Sequence, residues 1–184
     1  MADEQVDAQL VARAQAGDRA AFASLVERYQ QPLGGYLWRL TGDWELALDL
    51  TQDTFVRAYR SISTTRPGLV IRPWLYRIAT NLAYDHLRRQ RRYTRITRSL
   101  AGRESPGESE RIEERELVER ALARLRPRER SVLLLCGLEG LTYTETAAAL
   151  ATTPEAVRKQ FGRAKARFRA AYAEEASGPW LRRS

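Results

Sequence analysis

Residues 141–168 read LTYTETAAALATTPEAVRKQFGRAKARF, which resolves into two short helices around a tight turn. Thr142 followed three residues later by Glu145 is a capping box: the hydroxyl and the carboxylate each satisfy an orphan N–H at the helix start. A helix therefore begins there and runs to Leu150, and Ala151 and Thr152 make the turn. Thr153 offers an N-cap oxygen to the next helix, and Pro154 sits in its first turn, where the missing N–H costs nothing. Val157, Phe161, Ala164 and Phe168 recur at helical spacing and predict a buried stripe. Arg158, Lys159, Arg163, Lys165, Arg167 and Arg169 fall mostly off that stripe. A helix-turn-helix whose second helix is this basic is a candidate reader of the DNA major groove. An ordinary helical hairpin with a solvated cationic face is the competing reading of the segment alone.

The whole chain has 184 residues and a formal charge of +8. That length fits one domain or two small ones, and a hydrophobic content of 43% suffices for packed cores. The arginine excess favours a polyanionic partner, either nucleic acid or an acidic membrane surface. No apolar run approaches the ~20 residues that cross a bilayer. Asp3, Glu4 and Asp7 stand where a signal peptide would be basic, so no membrane insertion is expected. The one cysteine, Cys136, excludes an internal disulfide and a cysteine-rich metal site, which agrees with a cytoplasmic location. Within the apolar run from Val132 to Leu138 it reads as core filler.

Apolar positions recur every three or four residues nearly throughout, so the expected fold is all-α with no sheet. Val6 to Ala16 forms a first helix ended by Gly17. Asp18 caps a second that runs towards Leu40, with Phe22, Leu25, Val26 and Tyr29 inward, and Pro32 is expected to kink or interrupt it. After the turn at Thr41-Gly42-Asp43, a helix from Trp44 to Ile62 places Trp44, Leu48, Thr51, Phe55, Tyr59 and Ile62 on one face. Residues 61–72 read as a loop bounded by prolines. A further helix from Pro73 to about Arg92 buries Leu75, Ile78, Ala79 and Leu82 and then turns strongly basic. Between about 93 and 111 the periodicity fades among Ser, Gly, Pro and charges, which reads as a flexible linker. Ile112 to Leu125 restarts a helix, Pro127 opens the next, and Gly140 ends that one before the helix-turn-helix. The last residues, 177–184, read as a tail.

Two side-chain sets stand out. On the third helix, Glu45, Asp49, Gln52 and Asp53 are neighbours at three- and four-residue spacing, an acidic patch in a basic protein. It is either a solvated face or a docking surface for a basic or polar partner helix. On the fourth, Arg77, Asn81, Tyr84 and Arg88 follow one another at spacings of four, three and four and so share a face. Arginine contacts phosphate or a base edge, asparagine pairs with a base edge, and tyrosine stacks on an unpaired base, a set suited to an exposed single strand. The alternative is that Tyr84 packs against the body and Asn81 caps a local turn. Arg89, Arg91, Arg92, Arg95 and Arg98 extend the positive surface. No catalytic, metal or cofactor site is expected. His86 is the only histidine, its neighbour Asp85 reads as a surface residue, and no phosphate-binding glycine loop occurs. Gly34-Gly35, inside an apolar helix, reads as a close-packing or bending site.

These segments together resemble the extracytoplasmic-function (ECF) sigma factors, bacterial alternative sigma factors of the two-domain kind. The motifs are GDRAAFASLVERY, ELALDLTQDTFVRAYR, RPWLYRIATNLAYDHLRR, and LEGLTYTETAAAL with TPEAVRKQFGRAKARFR, in the family's order and with a linker where the family has one. The resemblance implies a region 2 domain over 1–93, which binds the clamp helices of core RNA polymerase and opens the promoter −10 element. A linker over 94–111 follows, then a region 4 domain over 112–176, which reads the −35 element and grips the polymerase flap. By matching position, Asp49, Gln52, Asp53 and Phe55 belong to the clamp-binding surface. The resemblance likewise implies that Arg77, Asn81 and Tyr84, with the loop before Pro73, face the displaced strand, Asn81 beside the pocket for a flipped base, and that Thr153, Arg158, Lys159, Gln160 and Arg163 serve the −35 duplex. An anti-sigma factor is the further partner implied, and no reaction is catalysed.

The loop TTRPGLVIRPW departs from the family's usual small and aromatic residues, and Gln160 and Gly162 stand where relatives are often basic or hydroxylated. Both promoter preferences are therefore left open. Roughly 20 residues span about 25 Å as a coil and at most ~70 Å extended, whereas sites one or two DNA turns apart lie ~35 to ~70 Å from each other, so the linker must be mostly extended to serve both. It is expected to be mobile in the free chain. A free-standing helix-turn-helix regulator is the competing function, and a nucleic-acid enzyme is disfavoured by the missing acid, base and metal constellations.

Overall fold

A computed structural model describes residues 2–96 and 110–177. Among them are eight helices and no strand: α1 (Ala2–Gln15), α2 (Arg19–Thr41), α3 (Trp44–Ser61), α4 (Ile71–Ile96), α5 (Glu110–Ala123), α6 (Pro127–Gly137), α7 (Tyr143–Leu150) and α8 (Pro154–Ala176), with a 3-10 turn at Ile62–Thr64. The expected linker is bounded more tightly than its composition suggests, because α4 continues to Ile96 and α5 begins at Glu110. Its middle, 97–109, lies outside the described residues, as do its predicted mobility and the tail beyond residue 177.

The N-terminal module is α1 to α4. Asp18 caps α2, its carboxylate accepting from the Ala20 and Ala21 N–H groups at 2.9 and 3.1 Å, and Gly42 ends that helix in the left-handed conformation at φ +77°. Asp7 of α1 accepts from Arg28 Nε at 2.9 Å and from the Tyr29 hydroxyl, clamping α1 to α2. Pro32 does not interrupt α2. Its ring lies on the exposed side, while Leu25, Tyr29, Leu33, Tyr36, Leu37 and Leu40 are buried on the other. Burial of that many large side chains, each worth about 1.5–3 kcal/mol, outweighs the one backbone hydrogen bond a proline removes.

The register of α3 also differs from expectation. Its buried row is Ala47, Leu50, Thr54, Phe55 and Ala58, whereas Trp44, Leu48 and Tyr59 are 56%, 52% and 47% exposed. The reason is steric: alanine and threonine let α2 and α4 approach closely, which a row of large side chains prevents. Thr54 remains satisfied when buried because its hydroxyl donates to the Leu50 carbonyl at 2.7 Å. Gly34 of α2 comes up against Thr51 of α3.

The C-terminal module is α5 to α8. Here the local signals hold: Thr142 Oγ1 accepts from the Glu145 N–H at 3.2 Å, and the Glu145 carboxylate accepts from the Thr142 N–H at 2.8 Å. Ala151 turns the chain at φ +51°, and Thr153 caps α8 through the Ala156 N–H at 3.2 Å. Val132, Ala147 and Val157 form a small core inside the helix-turn-helix, with Phe161 and Cys136 packed partly against it. Leu122, Leu134, Leu135, Leu141 and Ala149 instead belong to the same buried cluster as the N-terminal module. α7 lies on α4, and α6 against α2.

Candidate functional site

The exposed arc of α3 carries Glu45, Leu48, Asp49, Gln52, Asp53 and Val56. At 100° per residue, Glu45, Gln52, Asp49 and Val56 fall within one quadrant, and Leu48 and Tyr59 border it. Acidic groups therefore lie beside exposed apolar side chains, Val56 at 45% exposure among them. An acidic patch was legible in the sequence; the apolar half of the face was not, although Leu48 and Val56, eight residues apart, were the signal. Phe55 is buried beneath this face at 9% exposure, so it holds the helix in place rather than lying on the surface.

On α4, Arg77, Asn81 and Arg88 are exposed along one side, and Arg88 pairs with Asp85. Tyr84 does not share their exposure. Its ring packs against the core, its hydroxyl meets Ser131 Oγ on α6, and burial raises its phenol above the ordinary range. Tyr84 thus packs against the body, as the alternative reading of that face has it. Nothing in a single sequence points to Ser131, 47 positions away.

On α8, Arg158, Lys159 and Arg163 project outward, and Gln160 is half-buried. Lys165 Nζ sits 4.7 Å above the Phe161 ring, and Arg167 pairs with Glu129 of α6, so these two cations brace the module itself. Cys136 is half-buried, its sulfur 3.2 Å from Thr146 Oγ1, and burial pushes its thiol up. A cavity of about 570 Å³ separates the α4 set from the helix-turn-helix: Asn81, Tyr84 and Arg88 line one wall, Thr152 and Gln160 the other.

Among the described residues, no group of three or more His, Cys, Asp and Glu side chains could hold a metal ion. No helix among them is long and apolar enough to cross a membrane.

The family description Sigma-70 region 2 matches residues 25–93, and Sigma-70, region 4 matches residues 115–168. The chain is 33% identical over 176 residues to the ECF RNA polymerase sigma factor SigE of Mycolicibacterium smegmatis, covering 88% of this chain and 66% of that protein. It is 33% identical over 179 residues to the RNA polymerase sigma-H factor of Pseudomonas aeruginosa, covering 90% of this chain and 93% of that one. The fold resembles CnrH, solved in complex with the cytosolic domain of CnrY, with a TM-score of 0.74 and 29% identity over 94% of this chain and 99% of that one. The sigma factor RpoE of Bartonella quintana, solved with the anti-sigma factor NepR, shares the fold at a TM-score of 0.69 and 22% identity, over 83% of this chain and 96% of that one.

Proposed function

The chain belongs to the ECF sigma factors of the sigma-70 family, and we propose that it serves as a promoter-specificity subunit of RNA polymerase through three surfaces of its own. The exposed face of α3, with Glu45, Asp49, Gln52, Asp53 and the uncovered Leu48 and Val56, docks on the clamp helices of core polymerase. Arg77, Asn81 and Arg88 on α4, joined by Tyr84 once it is released from Ser131, hold the displaced strand of the −10 element. The end of α8 at Thr153, Arg158, Lys159, Gln160 and Arg163 enters the major groove of the −35 element. Opening the duplex consumes a few kcal/mol of stacking per base, which contacts to the extruded strand must offset, and no bond is made or broken in the DNA.

The observation that carries this reading is the α3 face. Acidic and apolar side chains lie exposed together on a helix of a strongly basic protein, a surface ill-suited to DNA phosphates. An operator-binding regulator needs no such face, so the free-standing alternative is not favoured. The reading places the chain in the cytoplasm and includes an anti-sigma partner that holds it inactive. Run-off transcription with the host's core polymerase and genomic promoter fragments tests it. Chain-dependent transcripts are expected from a subset of fragments, and their absence from every fragment would sink the proposal.

A further inference from the structure

Gln15, the last residue of α1, reaches across to the loop that leads into α4. Its side-chain amide donates to Thr65 Oγ1 at 2.7 Å and to the Arg66 carbonyl at 3.1 Å, 50 and 51 positions away. The Thr65 carbonyl, at 3.5 Å, is a weaker third acceptor. The Thr65 hydroxyl passes the contact on, because it donates to the Ile62 carbonyl at 2.6 Å and so closes the 3-10 turn at Ile62–Thr64. One amide therefore ties the end of α1 both to that turn and to the start of the loop.

The support behind Gln15 is itself fixed. Val11 and Ala14 of α1 are 2% and 5% exposed in the core, and Asp7 holds Arg28 and Tyr29. Nε and Nη2 of Arg13 both donate to the Asp18 carboxylate, at 2.9 and 2.7 Å. α1 is thus bound to α2 along its length, yet it carries none of the residues assigned above to polymerase or DNA. At its far end the loop is anchored by the buried Ile71 and by Leu69, which packs partly on the core. Between the anchors, Pro67 fixes one backbone angle, Gly68 takes φ +75°, and Val70 is left 60% exposed.

At about 1.5 Å per residue, Asn81 lies about 15 Å along α4 from Ile71, the length of about four stacked bases at ~3.4 Å each. A strand held by Arg77 and Asn81 therefore has the loop within reach. There the exposed Arg66 offers a cation to phosphate, and Val70 offers an apolar surface to a base or a thymine methyl. We infer that Gln15 is a positioning residue for promoter opening: it holds residues 65–70 in their strand-contacting shape before DNA arrives, so that α1 sets how selectively the −10 element is opened without touching it. A loop ordered in advance has less conformational entropy to lose in the open complex, whereas a loose one adapts to several base sequences comparably. The inference rests on the promoter-subunit reading, which gives the loop a strand to contact.

Gln15→Met keeps the length of the side chain and removes its donors, and Gln15→Lys restores a donor at a similar reach. On a promoter that the parent opens with core polymerase, Gln15→Met should form the initial duplex complex as the parent does. It should open that complex about fivefold more slowly, the factor that one or two hydrogen bonds are worth. Permanganate reactivity on templates with single-base changes in the −10 element should show the parent's preference narrowed by a similar factor in Gln15→Met and recovered in Gln15→Lys. An added surface charge acts evenly on all templates, so a recovered preference isolates the donor. In the free chain, hydrogen exchange at residues 65–66 should quicken several-fold in Gln15→Met, with α2 and α3 unaffected. Slower opening with the preference unchanged, parental rate and preference in Gln15→Met, or unaltered exchange at 65–66 would each overturn the inference. A parent that opens no promoter fragment sinks the promoter-subunit reading and this role with it; failure of the brace alone shows as a parent that opens promoters and a Gln15→Met variant that matches it.

Discussion

The hydroxyls of Tyr36 and Thr80 lie 2.7 Å apart in the fully buried centre of the N-terminal module, joining α2 to α4. Thr80 gives its own proton to the Tyr76 carbonyl, also at 2.7 Å, so Tyr36 is the donor of the pair. Burial raises the Tyr36 phenol well above its ordinary range, which keeps it protonated and able to donate at any working pH. Tyr36→Phe removes that donor and leaves a buried lone pair on Thr80 without it. The variant should lose about 1–2 kcal/mol of stability, read as an unchanged m-value and a lower midpoint in urea. An unshifted midpoint would mean that the buried pair contributes nothing.

Ala151 is the one described non-glycine residue with positive φ, at +51°, and it forms the turn of the helix-turn-helix. An L-residue with a Cβ pays roughly 1–2 kcal/mol for that conformation, part of which glycine recovers before its extra unfolded-state entropy is counted. Ala151→Gly should therefore raise the melting temperature by about 1–3 °C. Ala151→Val, β-branched at the same position, should lower it.

What could be read from the sequence was whatever is written locally. Thr142 and Glu145, or Thr153 and Pro154, lie within one helical turn of each other, so their caps follow from residue type and spacing. The face of α3 did not follow. Periodicity weighs side chains by size and apolarity, whereas Ala47, Thr54 and Ala58 are buried because they are small enough to let neighbouring helices close in. Pro32 misled for a related reason, since a strong local breaker was overridden by the buried row around it. The contacts of Glu139 with Arg72 and Tyr76, and of Tyr84 with Ser131, join positions 47 to 67 apart, and a single sequence carries no signal for such pairs. The basic set of α8 was legible because charge stays on the surface; the apolar part of the exposed α3 face was missed because an exposed leucine or valine looks like core until its neighbours are known.

Asp18 links the α2 cap to α1: it accepts from the Ala21 and Ala20 N–H groups, and Arg13 Nη2 donates to it at 2.7 Å. The Ala21 N–H and the Arg13 side chain hold its carboxyl below the ordinary 3.8. A carboxyl depressed in the folded state stabilises above its unfolded pKa, and that contribution is lost as pH falls through the folded value. Asp18→Asn keeps a capping oxygen but removes the charge. Its melting temperature should fall below the parent's near neutral pH, and the two curves should converge below pH 3.8. A gap that stays constant down to strong acid would assign the difference to something other than this carboxylate.

Asp49 and Asp53 stand on the exposed arc of α3, clear of its buried row. Asp49→Arg or Asp53→Arg should leave circular dichroism and melting unchanged while weakening association with core polymerase about tenfold or more, because a reversed charge now faces a complementary surface. Val56→Asp should weaken it too, through lost apolar contact rather than lost charge, with a smaller dependence on salt than the two reversals. Interferometry against immobilised core enzyme separates the cases. Parent-like affinity in all three variants would remove α3 from the docking surface.

Asn81 is exposed on α4 at the edge of the cavity facing the helix-turn-helix, with no part in the buried core. Its amide can both donate to and accept from a base edge, a capacity that matters only once a base has left the stack. Asn81→Ala should therefore leave formation of the initial duplex complex unchanged and slow strand separation about tenfold, since one polar contact to an extruded base is worth roughly 1–2 kcal/mol in the barrier. Gel-shift at low temperature reads the first step and permanganate reactivity of unpaired thymines the second. A promoter artificially opened by a mismatched bubble should restore the variant to near parental transcription, because the step that Asn81 serves has then been bypassed. Equal loss on bubble and duplex templates would place Asn81 in closed-complex binding and leave the strand-holding role to Arg77, Tyr84 and Arg88.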